Sequence, residues 1–348
     1  MQYKNLQAIL KERNVPSLLS KNEMLDILLR EEYGYFLPAP TKVEWTEDEP
    51  IMTYAGKATE RVVKITSYWE EKSFTFPITV VMPKGDGPFP FFIHANFRPN
   101  VPDKYMPTEE IVDGGFAVLS FCYQEVTADN DDFTDGLCGV YYEGKEKGEH
   151  SPGKIVFWAW AAQRVMDYAE SLSVLDKNRS VICGHSRLGK TALLCGATDE
   201  RFKFVHSNES GCNGAAITRG KVGERVADSI RLVPYWYCDN YKKYVDRANE
   251  MPFDQHYLIA SIAPRFVSVS SAVEDEWADP VSEMLGCVAA SPMYNELGLD
   301  GLICEDRLPQ VGDTYHDGCI GYHLRAGEHF FSREDWQKLM AFVQKKSK

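Results

Sequence analysis

The segment Ser180–Thr191 constrains this chain more than any other. The apolar run Val181-Ile182-Cys183 leads into Gly184-His185-Ser186-Arg187-Leu188-Gly189-Lys190. The helix-favouring run Thr191-Ala192-Leu193-Leu194-Cys195-Gly196-Ala197 follows without a spacer. A strand, a sharp turn and a helix must therefore meet at Ser186.

Two chemistries use such a junction. In a nucleophile elbow, G-x-S-x-G, a serine on a strained strand-to-helix turn presents its hydroxyl while the helix N-terminus faces a developing oxyanion. Here the second glycine comes one place late, at Gly189. The same letters, Gly184 to Thr191, also spell G-x-x-x-x-G-K-T, a phosphate loop with Lys190 on phosphate and Thr191 on magnesium. A plain strand-turn-helix with glycines for backbone reasons is the third reading.

The 348 residues allow one large domain or two ordinary ones. With 44% hydrophobic and 26% charged residues, the chain can bury a large core, and it has no apolar run long enough to span a membrane. A net charge of −13 repels nucleic acid and anionic membranes, so neither is expected as a partner. The nine cysteines include no C-x-x-C pair, and Cys122, Cys183 and Cys195 sit in apolar runs as expected buried thiols. No metal and no cofactor is expected. Met1-Gln2-Tyr3-Lys4-Asn5-Leu6-Gln7 has no signal-peptide core, which points to the cytoplasm or to the mature form of a secreted protein.

Two short helices, around Leu6-Ile9-Leu10 and 22–29, suggest an N-terminal helical extension over 1–40, with the catalytic domain at 41–348. Strands are expected at 61–66, 74–83, 89–94 and 116–122, then a solvated acidic loop at 125–136 and a helix at 155–172. After the Ser186 junction come a strand at 202–206, a helical or irregular span at 220–262, strands at 265–270 and 321–325, and a helix at 334–346 capped by Ser332. Strands alternating with helices imply an α/β sandwich with a mostly parallel sheet.

That order weighs against the phosphate loop, which normally follows the first strand and needs a later strand ending in aspartate. Here four expected strands precede the turn, and the next one runs into His206-Ser207-Asn208-Glu209; only Glu274-Asp275 offers a distant substitute. A serine hydrolase of this class needs nucleophile, acid and histidine in that order. His323 falls inside a strand and is expected to be packed, whereas His329 lies in the loop before the last helix, within reach of a neighbouring strand end. The acid has two candidate places: Glu209, and the cluster Glu274, Asp275, Glu276 and Asp279 after the next strand.

Further segments carry a joint pattern. They are Trp158-Ala159-Trp160, Glu209-Ser210-Gly211-Cys212-Asn213-Gly214-Ala215, Pro252-Phe253-Asp254-Gln255-His256, Ile262-Ala263-Pro264-Arg265 and Glu276-Trp277-Ala278-Asp279-Pro280. With Gly184–Lys190, whose G-C-S-R-x-G-K pattern is kept except for His185 in place of cysteine, this series resembles the glucuronoyl esterases of carbohydrate esterase family fifteen. It is also similar to the related bacterial acetylxylan-esterase-like proteins.

The resemblance implies an α/β-hydrolase three-layer sandwich and a cofactor-free serine esterase. It makes Ser186 the nucleophile, His329 the base and Glu209 the acid, with Asp275 as the alternative acid. Arg187 would serve the oxyanion through its amide and guanidinium, and Lys190 and Trp277 would contact sugar. The implied substrate is a carbohydrate ester of xylo-oligosaccharide type, a 4-O-methylglucuronate ester first and an acetylated sugar second. Nucleotide binding at Lys190 and Thr191, or a silent hydrolase fold that only binds carbohydrate, are the readings outside this class.

Overall fold

The structure is a computed structural model that describes residues 4–347. Its strands are β1 (Lys42–Glu47), β2 (Ile51–Thr53), β3 (Ala58–Trp69), β4 (Lys72–Pro83), β5 (Phe89–Asn96), β6 (Ala117–Cys122), β7 (Leu175–His185), β8 (Phe204–Asn208), β9 (Phe266–Ala272), β10 (Thr314–Tyr315) and β11 (Ile320–Arg325). They form one sheet in the order β1-β3-β4-β6-β5-β7-β8-β9-β11-β10, with β2 paired to β3. The centre, β6-β5-β7-β8-β9-β11, is parallel, and both flanks are antiparallel. The continuous apolar runs become the central strands because both faces of that region are covered.

The helices are α1 (Lys4–Glu12), α2 (Lys21–Leu28), α3 (Thr108–Asp113), α4 (Tyr123–Val126), α5 (Gly136–Tyr142), α6 (Lys154–Ser171), α7 (Arg187–Thr198), α8 (Val226–Leu232), α9 (His256–Ala260), α10 (Pro280–Glu296) and α11 (Arg333–Lys346). On one face, Trp158 and Trp160 of α6 and Leu193 and Leu194 of α7 join the larger core. On the other, Trp336, Leu339 and Phe342 of α11 pack with Phe92 and Phe116 in a smaller one. The result is the three-layer α/β-hydrolase arrangement expected from the alternating pattern.

The four early strands expected from sequence are β3 to β6, and the three late ones are β8, β9 and β11. The N-terminal segment packs closely on the rest. Leu6, Leu10, Met24 and Leu28 are buried in the larger core, and the carbonyls of Pro16 and Ser17 accept hydrogen bonds from His256 and Tyr257. All nine cysteines are free thiols, Cys122, Cys183 and Cys195 among the buried ones. No helix among the described residues is long and apolar enough to cross a membrane.

The acidic segment 125–136 differs from its expected solvated state. Asp131 and Asp132 do face water. The Asp129 side chain, however, is only 6% exposed, and Lys154, fully buried at the start of α6, donates to the carbonyls of Ala128 and Asp132 at 2.7 and 2.5 Å. A buried ammonium must find acceptors, and this loop's backbone supplies them.

Candidate active site

The parallel register brings the candidate residues to one edge of the sheet. His185 pairs with Asn208, Asn208 with Ser270, and Ala272 with Arg325, so β7, β8, β9 and β11 end in a row. Ser186, Glu209, Asp275 and His329 all follow those ends, where open α/β sheets place their sites.

Ser186 has φ 59° and ψ −125°, a sparsely populated conformation for a residue with a side chain. Its amide donates to the Asn208 carbonyl at 2.8 Å, which fixes the turn against β8. Gly184 is obligatory, because a Cβ there would stand 2.2 Å from the Leu188 carbonyl oxygen. The late glycine also has a reason. A Cβ at Gly189 would lie 3.0 Å from both Ser207 and Ser210 side-chain atoms, so α7 settles onto β8 at this position. The serine is half-buried at the N-terminus of α7, whose first amides lack intrahelical partners.

His329 is exposed over 40% of its side chain, while His323 is buried with Nε2 on Asp335 at 2.8 Å. Nδ1 of His329 lies 2.6 Å from Asp275 Oδ2 and 3.2 Å from Glu209 Oε2. Both candidate carboxylates thus reach the same nitrogen, Asp275 by the shorter contact, and neither takes Nε2. Burial opposes the charged ring, but hydrogen bonds and charge from Asp275 and Glu209 outweigh it and raise its pKa to about 9. Burial pushes Glu209 up to about 7, against the pull of His329 and Arg325.

Arg325 is a participant that sequence reading missed. It donates to Glu209 at 2.6 Å, to Asp335 at 2.7 Å and to the carbonyls of Ala326, Glu328 and Phe330. One buried guanidinium therefore shapes the His329 loop and balances Glu209. The other Glu209 oxygen accepts from the Phe330 amide at 2.8 Å.

His185, the substituted position of the motif, packs its ring 4.3 Å from that of His329. The Asn208 side chain donates to Ser270, so its oxygen faces His185 Nδ1 at 2.5 Å, and burial holds this imidazole neutral, its pKa well below the ordinary range. His185, Glu209 and His329 place potential metal-ligand atoms within 4.8 Å of one another. Both Glu209 oxygens already serve Arg325 and the Phe330 amide, so this carboxylate is committed within the fold.

Arg187, the first residue of α7, pairs with Asp129 and lies over the Trp236 and Phe97 rings, 4.9 and 5.7 Å from their centres. Lys190 is buried, donating to the Ser210 carbonyl at 2.6 Å, with Glu224 at 3.7 Å. Thr191 turns its hydroxyl back onto the Arg187 carbonyl at 3.0 Å. The two phosphate-loop ligands are thus both occupied within the fold, and the nucleotide reading has no support. Trp277 is 52% exposed, but its carbonyl accepts from the Glu224 amide at 2.9 Å. Glu224, which the sequence did not single out, thereby links Lys190 to the Trp277 loop.

The sequence profile of the family described as "Glucuronyl esterase, fungi" matches residues 64–298. The chain is 37% identical over 239 residues to carbohydrate esterase MZ0003 from an unknown prokaryotic organism, covering 68% of this chain and 54% of that protein. It is 28% identical over 338 residues to the 4-O-methyl-glucuronoyl methylesterase of Podospora anserina, covering 93% of this chain and 63% of that one. The chain therefore spans just over half to less than two thirds of these relatives' length. Among solved structures, the glucuronoyl esterase from Solibacter usitatus superposes with a TM-score of 0.84 at 32% identity, covering 93% of this chain and 91% of that one. With the family profile matching residues 64–298 and a solved glucuronoyl esterase 32% identical over 93% of the chain, this chain belongs to the glucuronoyl esterase family.

Proposed function

We propose that the chain is a serine esterase that cleaves carbohydrate esters, with a 4-O-methylglucuronate ester on xylan-type fragments as its substrate. The observation that carries this reading is the convergence on one sheet edge of a strained Ser186 and a His329 whose Nδ1 is held by two carboxylates. The named activity of the Podospora anserina relative supports the uronate ester.

In this mechanism Ser186 Oγ attacks the ester carbonyl and its proton passes to His329 Nε2. Asp275, with Glu209 behind it, fixes the ring's orientation and stabilises the imidazolium. The oxyanion forms at the N-terminus of α7, next to the Arg187 amide and within the field of its guanidinium. Collapse expels the alcohol, which takes the proton from His329. Water, activated by the same nitrogen, then attacks the acyl-enzyme and releases the uronate. Lys190 and the exposed Trp277 ring are assigned to the sugar. Contact through Lys190 requires its ammonium to share or exchange the Ser210 carbonyl for a hydroxyl.

The test is hydrolysis of benzyl glucuronate beside acetylated xylo-oligosaccharide, with Ser186→Ala as control. Serine-dependent acid release from the glucuronate ester is the expected result. Acetate release alone would keep the site and move the substrate to acetylated sugars, and no turnover of either would contradict the esterase reading.

A further inference from the structure

We propose that Asp129 is a positioning residue for the reaction: it holds the Arg187 guanidinium beside the Ser186 turn, so that the cation is in place before the oxyanion forms. The inference rests on the reading of Arg187 as an oxyanion-stabilising group.

Asp129 is unlike the exposed acids around it. Its Oδ2 takes Arg187 and the Tyr123 hydroxyl, the latter at 3.0 Å, and its Oδ1 takes the Trp236 indole N–H at 2.7 Å. Its backbone carbonyl accepts from the Tyr235 hydroxyl at 3.2 Å. Burial raises the Tyr123 phenol well above its ordinary pKa, so it stays protonated and keeps donating. Trp236 contributes twice, orienting the carboxylate through its N–H and supporting the guanidinium on its ring face.

The loop that carries Asp129 is itself anchored. Besides the Ala128 and Asp132 carbonyls, Lys154 Nζ reaches Asp135 Oδ1 at 3.3 Å, and Asp135 in turn accepts from the Thr127 hydroxyl and the Ala128 amide at 3.1 and 2.7 Å. The chain of contacts thus runs from the buried start of α6 to the first residue of α7. A long arginine side chain is flexible when free. Fixing it beforehand removes the reorganisation that would otherwise accompany charge development, and this is how a preorganised site accelerates a reaction.

Asp129→Asn keeps the shape of the side chain and removes its charge. On benzyl glucuronate its kcat should fall about tenfold to a hundredfold, the scale of a misplaced catalytic group, with KM within about threefold. Asp129→Glu should restore part of the loss. In an Arg187→Ala background Asp129→Asn should cause no further loss, because the group it positions is gone. Should Asp129→Asn fail to fold, Tyr123→Phe, which removes one donor from the carboxylate and no charge, should still lower kcat at constant KM.

Wild-type kcat in Asp129→Asn, or losses that multiply in the double variant, would overturn the proposal. An Arg187→Ala enzyme with wild-type kcat would instead sink the oxyanion reading of Arg187, and the proposal with it. A large loss in Arg187→Ala beside an unaffected Asp129→Asn would sink the proposal alone.

Discussion

Nδ1 of His329 lies 2.6 Å from Oδ2 of Asp275, the shorter of the two carboxylate contacts that hold this imidazole. Glu209 approaches the same nitrogen at 3.2 Å while its two oxygens serve Arg325 and the Phe330 amide. Asp275 is therefore the freer of the two acids. Asp275→Ala should lower kcat about tenfold to a hundredfold, because Glu209 remains to orient the ring. Asp275→Ala with Glu209→Gln should approach the loss of about ten-thousandfold typical of a base without its orienting acid. Initial rates on a soluble glucuronate ester decide this, and a single Asp275→Ala loss equal to that of the pair would deny Glu209 any share.

The pH dependence follows from the same contacts. His329 has its pKa raised from 6.5 to about 9, and only the neutral ring can act as base. Activity should therefore rise with pH along a limb between about 6.5 and 9, displaced toward the lower value by the ring's solvent-facing edge. Asp275→Ala should shift the limb further toward acid. The sign for stability is opposite: a raised histidine pKa contributes stability that is present below about 6.5 and lost as pH rises through about 9. A kcat/KM profile and a melting series over that range check both.

The acidic loop should loosen when its anchor goes. Lys154→Met leaves the part-buried Ala128 and Asp132 carbonyls without their donor, at about 1 kcal/mol for each hydrogen bond lost. Amide hydrogen exchange should quicken across 127–136 ahead of the central strands. Uniform protection would show that the loop is held by other means.

Trp277 offers an exposed ring on a fixed backbone. Trp277→Ala should raise KM for oligosaccharide esters about fivefold, equivalent to about 1 kcal/mol of ring contact, and change kcat little. A KM unchanged on both short and long esters would make this ring a bystander.

Much of this was readable from local pattern. The junction at Ser186 announced itself because its apolar strand, glycines and helix formers are contiguous. The central strands did so because burial on both faces demands unbroken apolar runs. Other elements hid for physical reasons. The edge strand β1 has only Val43 and Trp45 to mark it. The helix α10 is buried nearly all round and contains Pro292, so it shows no amphipathic stripe. Asp129 looked like one solvated acid among several, because its partners Arg187 and Trp236 are remote in sequence. Local pattern left the two acids open, since Glu209 and Asp275 follow adjacent strands; the family resemblance put Glu209 first, whereas the contact to His329 is shorter from Asp275.

The central claim is that Ser186 attacks the ester carbonyl. Its most direct test is mass spectrometry of the protein acid-quenched during turnover of benzyl glucuronate, with peptide mapping of any covalent adduct. The account predicts a uronyl adduct on the peptide containing Ser186, absent from Ser186→Ala, which should also lose turnover. Normal turnover by Ser186→Ala, or an adduct on another residue, would contradict it.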